Sequence, residues 1–122
     1  RLPETFPADA ALLERALMNI LANAVEHAPE GSRLSLAADA EGDRIRFRVV
    51  DEGPGFSPEA LKLAAEQFYM GDASRRANGH YGMGLYIARQ IARLHGGELR
   101  VANSAATGGG EVTVEIPAGG SV

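Results

Sequence analysis

The chain changes between two periods of hydrophobic spacing. Over residues 10–28, Leu13, Leu17, Ile20, Ala24 and Ala28 recur at intervals of three and four, and Leu21 and Val25 widen the stripe, which predicts an amphipathic helix. Asp9 stands where an N-cap belongs, and Pro29 and Gly31 stop the run. Across residues 33–39, Leu34, Leu36 and Ala38 alternate with polar neighbours, which predicts a strand. Glu41-Gly42-Asp43 reads as a hairpin turn, and residues 44–51 resume the alternation, with Ile45, Phe47 and Val49 on one face and Arg44, Arg46 and Arg48 on the other. Such a strand belongs to a sheet with one covered and one wet face. Ser57-Pro58 has the chemistry of a helix start, predicted to run to about residue 67. Residues 71–81 show no periodicity and are expected to form a mobile loop when no ligand is bound. Helical spacing returns over residues 83–95 through Leu85, Ile87, Ala88, Ile91, Ala92 and Leu94, and Gly96-Gly97 ends it. Two strands, 98–103 and 111–117, follow around a turn at 105–110. Pro3 and Pro7 keep the first residues extended, and the tail from residue 118 is expected to fray.

A chain of 122 residues suits one domain, and 45% hydrophobic content is enough for it to have a core of its own. No apolar run approaches the ~18 residues of a membrane span. With no cysteine there is neither a disulfide framework nor a thiolate metal site. A net charge of -4 argues against a nucleic-acid partner, which needs a basic face. It leaves room for a nucleotide, whose phosphates one metal ion and one arginine can neutralise locally.

Three places carry candidate chemistry. Asn19 and Asn23 lie four residues apart, so both amides share one helix face at the polar edge of the apolar stripe. Asn is a mediocre helix former, and its amide oxygen is a hard, neutral ligand suited to Mg²⁺; two solvated surface Asn would read the same way. Asp51 ends a strand and enters Gly53-Pro54-Gly55. A carboxylate there suits a base amine and the glycines let backbone come close, although Asp and Gly are also ordinary loop residues. Gly82-Met83-Gly84 precedes a helix, where exposed amides make an anion site or merely a flexible junction.

Taken together and in order, the Asn pair, Asp51-Glu52-Gly53-Pro54-Gly55, Phe68-Tyr69 and Gly82-Met83-Gly84-Leu85 resemble the N box, first glycine box, F box and second glycine box of the ATP-binding catalytic domain of sensor histidine kinases. The flanks NILANAVEHAPEGS, VVDEGPGFSPE, QFYMGDASR and GMGLYIARQIARLHGGEL read like that family as well, from about Leu2 to Pro117. The resemblance implies a Bergerat ATP-binding fold, an α+β two-layer sandwich with a mixed sheet covered by helices on one face. It implies ATP and Mg²⁺ as cofactors. Asn23 is the expected metal ligand with Asn19 assisting, and Asp51 the adenine reader in a pocket shaped by Gly53 and Gly55. His27 stands against the nucleoside, Phe68 and Tyr69 anchor the start of the lid, and Arg75 reaches the phosphates. Gly82 and Gly84, with Leu85 after them, form the phosphate-side turn. On the same grounds the γ-phosphate would pass to a histidine on a separate dimerisation domain, for a downstream response regulator. The whole protein would be a homodimeric, membrane-bound sensor with this domain in the cytoplasm, touching neither membrane nor nucleic acid.

Departures from the pattern are confined to the phosphate side. Glu26 and Met70 occupy positions where relatives carry basic residues, and His80-Tyr81 replace the first half of the full glycine motif. A degenerate, non-catalytic nucleotide-binding module therefore stands as one alternative, and an anti-sigma-type serine kinase, a near relative of the same fold, as another. Hydrolytic relatives such as topoisomerases place a Glu base where this chain has Asn19, which counts against hydrolysis. None of His27, His80 and His95 has the setting of a phosphoacceptor, so that residue, the sensor and the family's first strand are expected to lie outside residues 1–122.

Overall fold

The computed structural model describes residues 9–66 and 84–117. Its elements run α1 (Ala10–His27), β1 (Leu34–Glu41), β2 (Arg44–Asp51), α2 (Pro58–Leu63), α3 (Gly84–Leu94), β3 (Glu98–Asn103) and β4 (Gly110–Pro117). The Asp9 side chain accepts from Leu12 N at 3.1 Å and starts α1 as the sequence predicts. Ser57 does the same for α2 through Ala60 N, but α2 ends at Leu63, short of the expected boundary. None of its residues is buried, so a capped start was not followed by packing that would extend it.

The strands form one sheet in the order β1-β2-β4-β3. Arg44 pairs with Glu41 across the two-residue turn at Gly42-Asp43, where Gly42 has φ +62°. The expected mixed sheet is antiparallel throughout among the described strands. The connection through α2 and α3 does bring β3 back parallel to β2. However, β4 turns back from β3 and slots between the two, so no parallel pair forms.

Helices α1 and α3 lie on one face of the sheet, α1 against β2 and α3 against β3 and β4. They run antiparallel to each other: the first turn of α1 meets His95 just past the end of α3, and Asn19 meets Gly84 at its start. Between helices and sheet, Ile20, Ile45, Val49, Val114 and Ile116 are the largest fully buried side chains. The α1 stripe is centred on Ala16, Ile20 and Ala24, and small residues there let the helix sit close to the sheet and to α3. Val25, expected to widen the stripe, is 60% exposed. So is Leu94, at 75%: nine positions after Leu85, it falls about half a turn round the helix. Leu36 is 53% exposed because the helices cover β2, β4 and β3 and leave the edge strand β1 largely open.

The other face of the sheet is the wet one. Arg46 meets Asp39 at 3.2 Å and also Glu41, Arg48 meets Glu111 at 3.5 Å, and Arg44 and Arg100 both approach Glu115 at 3.9 Å. Cross-strand ion pairs of this kind suit a solvated sheet surface and fix register more than they stabilise.

Candidate functional site

Asp51 is the more deeply buried of the two buried polar residues among the described residues. It closes β2 at 5% exposure, and a buried carboxylate is tolerated only when hydrogen-bonded. One oxygen, Oδ1, accepts from Gly53 N at 2.8 Å and from Gly110 N at 3.0 Å. Its backbone oxygen accepts from Thr107 Oγ1 at 2.9 Å, and Thr107 Oγ1 accepts in turn from Gly109 N. The second carboxylate oxygen, Oδ2, faces Gly110, where a Cβ would stand 3.0 Å away. Asp51, Gly55, Phe56 and Gly110 line a narrow crevice around it. The carboxylate is thus held by one oxygen and offers the other as an acceptor, the arrangement needed to read an N–H donor on a flat ring.

The wall opposite the Asp51 loop is the β3–β4 connection, which in the sequence has only the character of a turn. A Cβ at Gly109 would lie 2.0 Å from Asp51 O, and one at Gly55 would lie 2.6 Å from Gly108 O. Gly109 and Gly55 are therefore required by close approach of two backbone segments, and Gly110 by the Phe56 ring and the Asp51 carboxylate, 2.8 and 3.0 Å from where its Cβ would stand. The run Gly108-Gly109-Gly110 directly before a strand was the available signal. What it packs against could not be read from it, because Asp51 is more than fifty residues distant in sequence. Asn103 was missed for the same reason: its amide bonds both backbone groups of Phe56.

The Asn pair occupies the other part of the site. Asn19 and Asn23 are both half-buried on α1. Because α1 has 18 residues and α3 has 11, and the two start and end in opposite directions, α1 continues past the N-terminus of α3. Asn23, about 6 Å further along the axis than Asn19 at 1.5 Å per residue, lies beyond the first turn of α3, whose N–H groups have no partner within the helix. Asn19 Nδ2 is buried without a hydrogen-bond partner, an orphaned donor that a phosphate oxygen or a metal-bound water would satisfy. Among the described residues no group of three His, Cys, Asp or Glu comes together to hold a metal, so a cation here would rest on neutral amides and on its ligand's own oxygens. These features fit a magnesium nucleotide.

Gly84 starts α3 beside Asn19 with room for a Cβ at 3.8 Å, and Leu85 is buried in the core at 3% exposure. His27 ends α1. Its side chain, together with Phe68, Tyr69, Met70, Arg75, His80, Tyr81 and Gly82, lies outside the described residues. His95 caps α3, with Nδ1 2.9 Å from Ile91 O, while its Nε2 accepts from Asp9 N at 2.9 Å. The ring therefore ties the end of α3 to the start of α1 by a hydrogen bond. A roomier hollow of about 210 Å³ under α2, against Arg89, Glu98 and Leu99, holds none of the predicted site residues.

Residues 8–120 match the family of histidine kinase-, DNA gyrase B- and HSP90-like ATPases, and the chain belongs to it. It is 51% identical over 109 residues to the sensor histidine kinase SpaK of Bacillus subtilis, covering 89% of this chain and 24% of that protein. It is 38% identical over 111 residues to the sensor-like histidine kinase SenX3 of Mycobacterium tuberculosis, covering 90% of this chain and 27% of that protein. The chain thus spans about a quarter of the length of these curated relatives. Among solved structures, the mycobacterial sensor histidine kinase MprB superposes with a TM-score of 0.82 at 30% identity, over 93% of this chain and 77% of that one. Full-length ShkA in complex with AMPPNP gives 0.78 at 34% identity, over 99% and 24%. The family and these relatives make the chain a histidine kinase-type ATPase domain of an α+β two-layer fold.

Proposed function

We propose that this domain binds Mg-ATP and donates the γ-phosphoryl group to a histidine on a separate helical dimerisation domain. The observation that carries the proposal is the division of labour on Asp51: Oδ1 is committed to Gly53 and Gly110, and Oδ2 points into a crevice walled by glycine. In this reading Oδ2 accepts from the exocyclic amine of adenine. Asn19 and Asn23 would hold Mg²⁺, whose charge would bridge and neutralise the phosphate oxygens. Being neutral, the two amides leave that charge undiminished. The amides at the start of α3 receive the phosphates. Arg75, Phe68, Tyr69, His27 and Gly82 keep the phosphate, lid and nucleoside roles that the family resemblance implies.

The complex of ShkA with AMPPNP supports nucleotide binding, and relatives named sensor histidine kinases support histidine as the acceptor. With Asn19 where hydrolytic relatives have their Glu, no carboxylate stands at that position to activate water. This favours transfer over hydrolysis. A dimerisation domain and a response regulator would then be the partners, and a homodimeric sensor with this domain on the cytoplasmic side of a membrane its setting. Among the described residues no helix is long and apolar enough to cross a membrane.

Calorimetric titration with a non-hydrolysable ATP analogue, with and without Mg²⁺ and beside Asn23→Ala, tests the binding half. Metal-dependent binding lost in the variant is expected. Transfer of labelled phosphate to a supplied dimerisation domain tests the chemical half. Binding without transfer would favour the non-catalytic module, and labelled serine on a partner would favour the anti-sigma-type kinase.

A further inference from the structure

Asn103 is the last residue of β3 and pairs in register with Gly110, the first of β4. Its side chain does not point along the strand ladder but reaches across to the Asp51 loop. There Oδ1 accepts from Phe56 N at 2.7 Å and Nδ2 donates to Phe56 O at 3.1 Å. A carboxamide presents one acceptor and one donor side by side, so it pairs with a backbone residue as a neighbouring strand would. Phe56 belongs to no strand, and this pairing substitutes for one.

The consequence reaches the crevice through Phe56 itself. Its ring edge lies against Gly110, where a Cβ would stand 2.8 Å from Cε2, on the side that also faces Asp51 Oδ2. Gly55, at φ +83°, is pressed close enough that a Cβ would meet Asn103 Oδ1 at 2.9 Å. The two ends of the Asp51–Phe56 segment are thus tied to the β3–β4 connection, by Thr107 at Asp51 and by Asn103 at Phe56.

We infer that Asn103 is a positioning residue for base selection: its two-point clasp on Phe56 sets the wall opposite Asp51 Oδ2 and so decides how closely a ring amine can approach that oxygen. The inference rests on the assignment of this crevice to the base of a nucleotide. Asn103 is exposed, and its loss leaves the core intact. Without the clasp the loop from Gly53 to Phe56 gains freedom, and the carboxylate oxygen no longer meets the base at a fixed distance. Hydrogen-bond discrimination depends on that fixed geometry, whereas the phosphate side does not involve this loop.

The test is calorimetric titration of the full chain with ADP and with IDP, whose base carries a carbonyl oxygen in place of the adenine amine. The ratio of the two affinities isolates the base contact, because the phosphates are common to both. In wild type ADP is expected to bind more tightly. In Asn103→Ala the ratio is expected to fall toward one, by about tenfold or more. Asn103→Asp, which keeps the acceptor for Phe56 N and loses the donor to Phe56 O, should fall between them and serves if the alanine variant does not fold. Circular dichroism of each nucleotide-free variant separates misfolding from mispositioning. A uniform weakening of both ligands with the ratio intact would show a merely structural role and overturn the inference. Asp51→Asn should also collapse the ratio. If it does while the Asn103 variants keep theirs, the inference alone fails. A wild-type ratio of one, unmoved by Asp51→Asn, would remove the base reading and the clasp with it.

Discussion

Two adjacent glycines in the β3–β4 connection are required for different reasons, and a pair of alanine substitutions separates them. Gly108 has φ +78° with nothing within 4 Å of a Cβ, so Gly108→Ala bears only the left-handed backbone penalty, about 1 kcal/mol. At Gly109 a Cβ would stand 2.0 Å from Asp51 O and 2.7 Å from Oδ1. A comfortable carbon–oxygen contact is about 3.3 Å, so β4 and the end of β2 must part by roughly 1.3 Å. That movement strains a packed junction, at about 1–3 kcal/mol. It also pulls Gly110 N away from Asp51 Oδ1, a bond to a charged acceptor worth about 1.5–3 kcal/mol. Gly109→Ala should therefore cost about 3–5 kcal/mol, a large share of the roughly 5–15 kcal/mol that holds a domain folded. Urea unfolding gives both values from the shift in midpoint at unchanged slope. Titration with a nucleotide below the midpoint should show binding kept in Gly108→Ala and lost in Gly109→Ala. Equal costs near 1 kcal/mol, with binding retained in both, would refute the close approach and the role given to this connection.

Glu98 is pulled upward by burial, but the Arg93 hydrogen bond, the Leu99 N–H and the nearby Arg89 outweigh this and leave it below its ordinary 4.5. Because the folded value is the lower one, the stabilisation is present at neutral pH and lost as pH falls through that value. The advantage of wild type over Glu98→Gln, about 1 kcal/mol at most for so exposed a group, should thus be full above about pH 5 and disappear from acid unfolding curves as pH falls through the lowered folded value. His95→Phe removes the one bond that ties the start of α1 to the end of α3, from Asp9 N to Nε2, together with the Nδ1 contact to Ile91 O within α3, and should lower stability by about 1–3 kcal/mol in urea, where no loss would show that the ring only fills space. Incubated alone with ATP, the chain should form no acid-labile phosphohistidine, and its appearance on His27, His80 or His95 would contradict the need for a separate acceptor domain.

Local chemistry was written into the sequence. The 3.6-residue spacing through Ile20 and Ala24, the alternation from Arg44 to Asp51, and the caps at Asp9 and Ser57 specify their elements because each depends on neighbours within one turn or one pleat. The Asn pair and the Asp51 loop could be singled out because an unusual residue type at fixed spacing is itself a local pattern. Strand order could not be read this way: whether β4 lies beside β2 or outside β3 depends on which apolar faces meet, and both placements satisfy the same alternation. Nor could the exposure of Leu36, Val25 and Leu94, since a pattern says which way a side chain points and not whether anything covers it. Only the tertiary fold set Gly109, Gly110 and Asn103 against Asp51 and Phe56, more than forty residues away in the chain. A hydrogen bond between distant segments leaves no period in either one, so the part of the site that depends on such bonds emerged only when the segments were brought together.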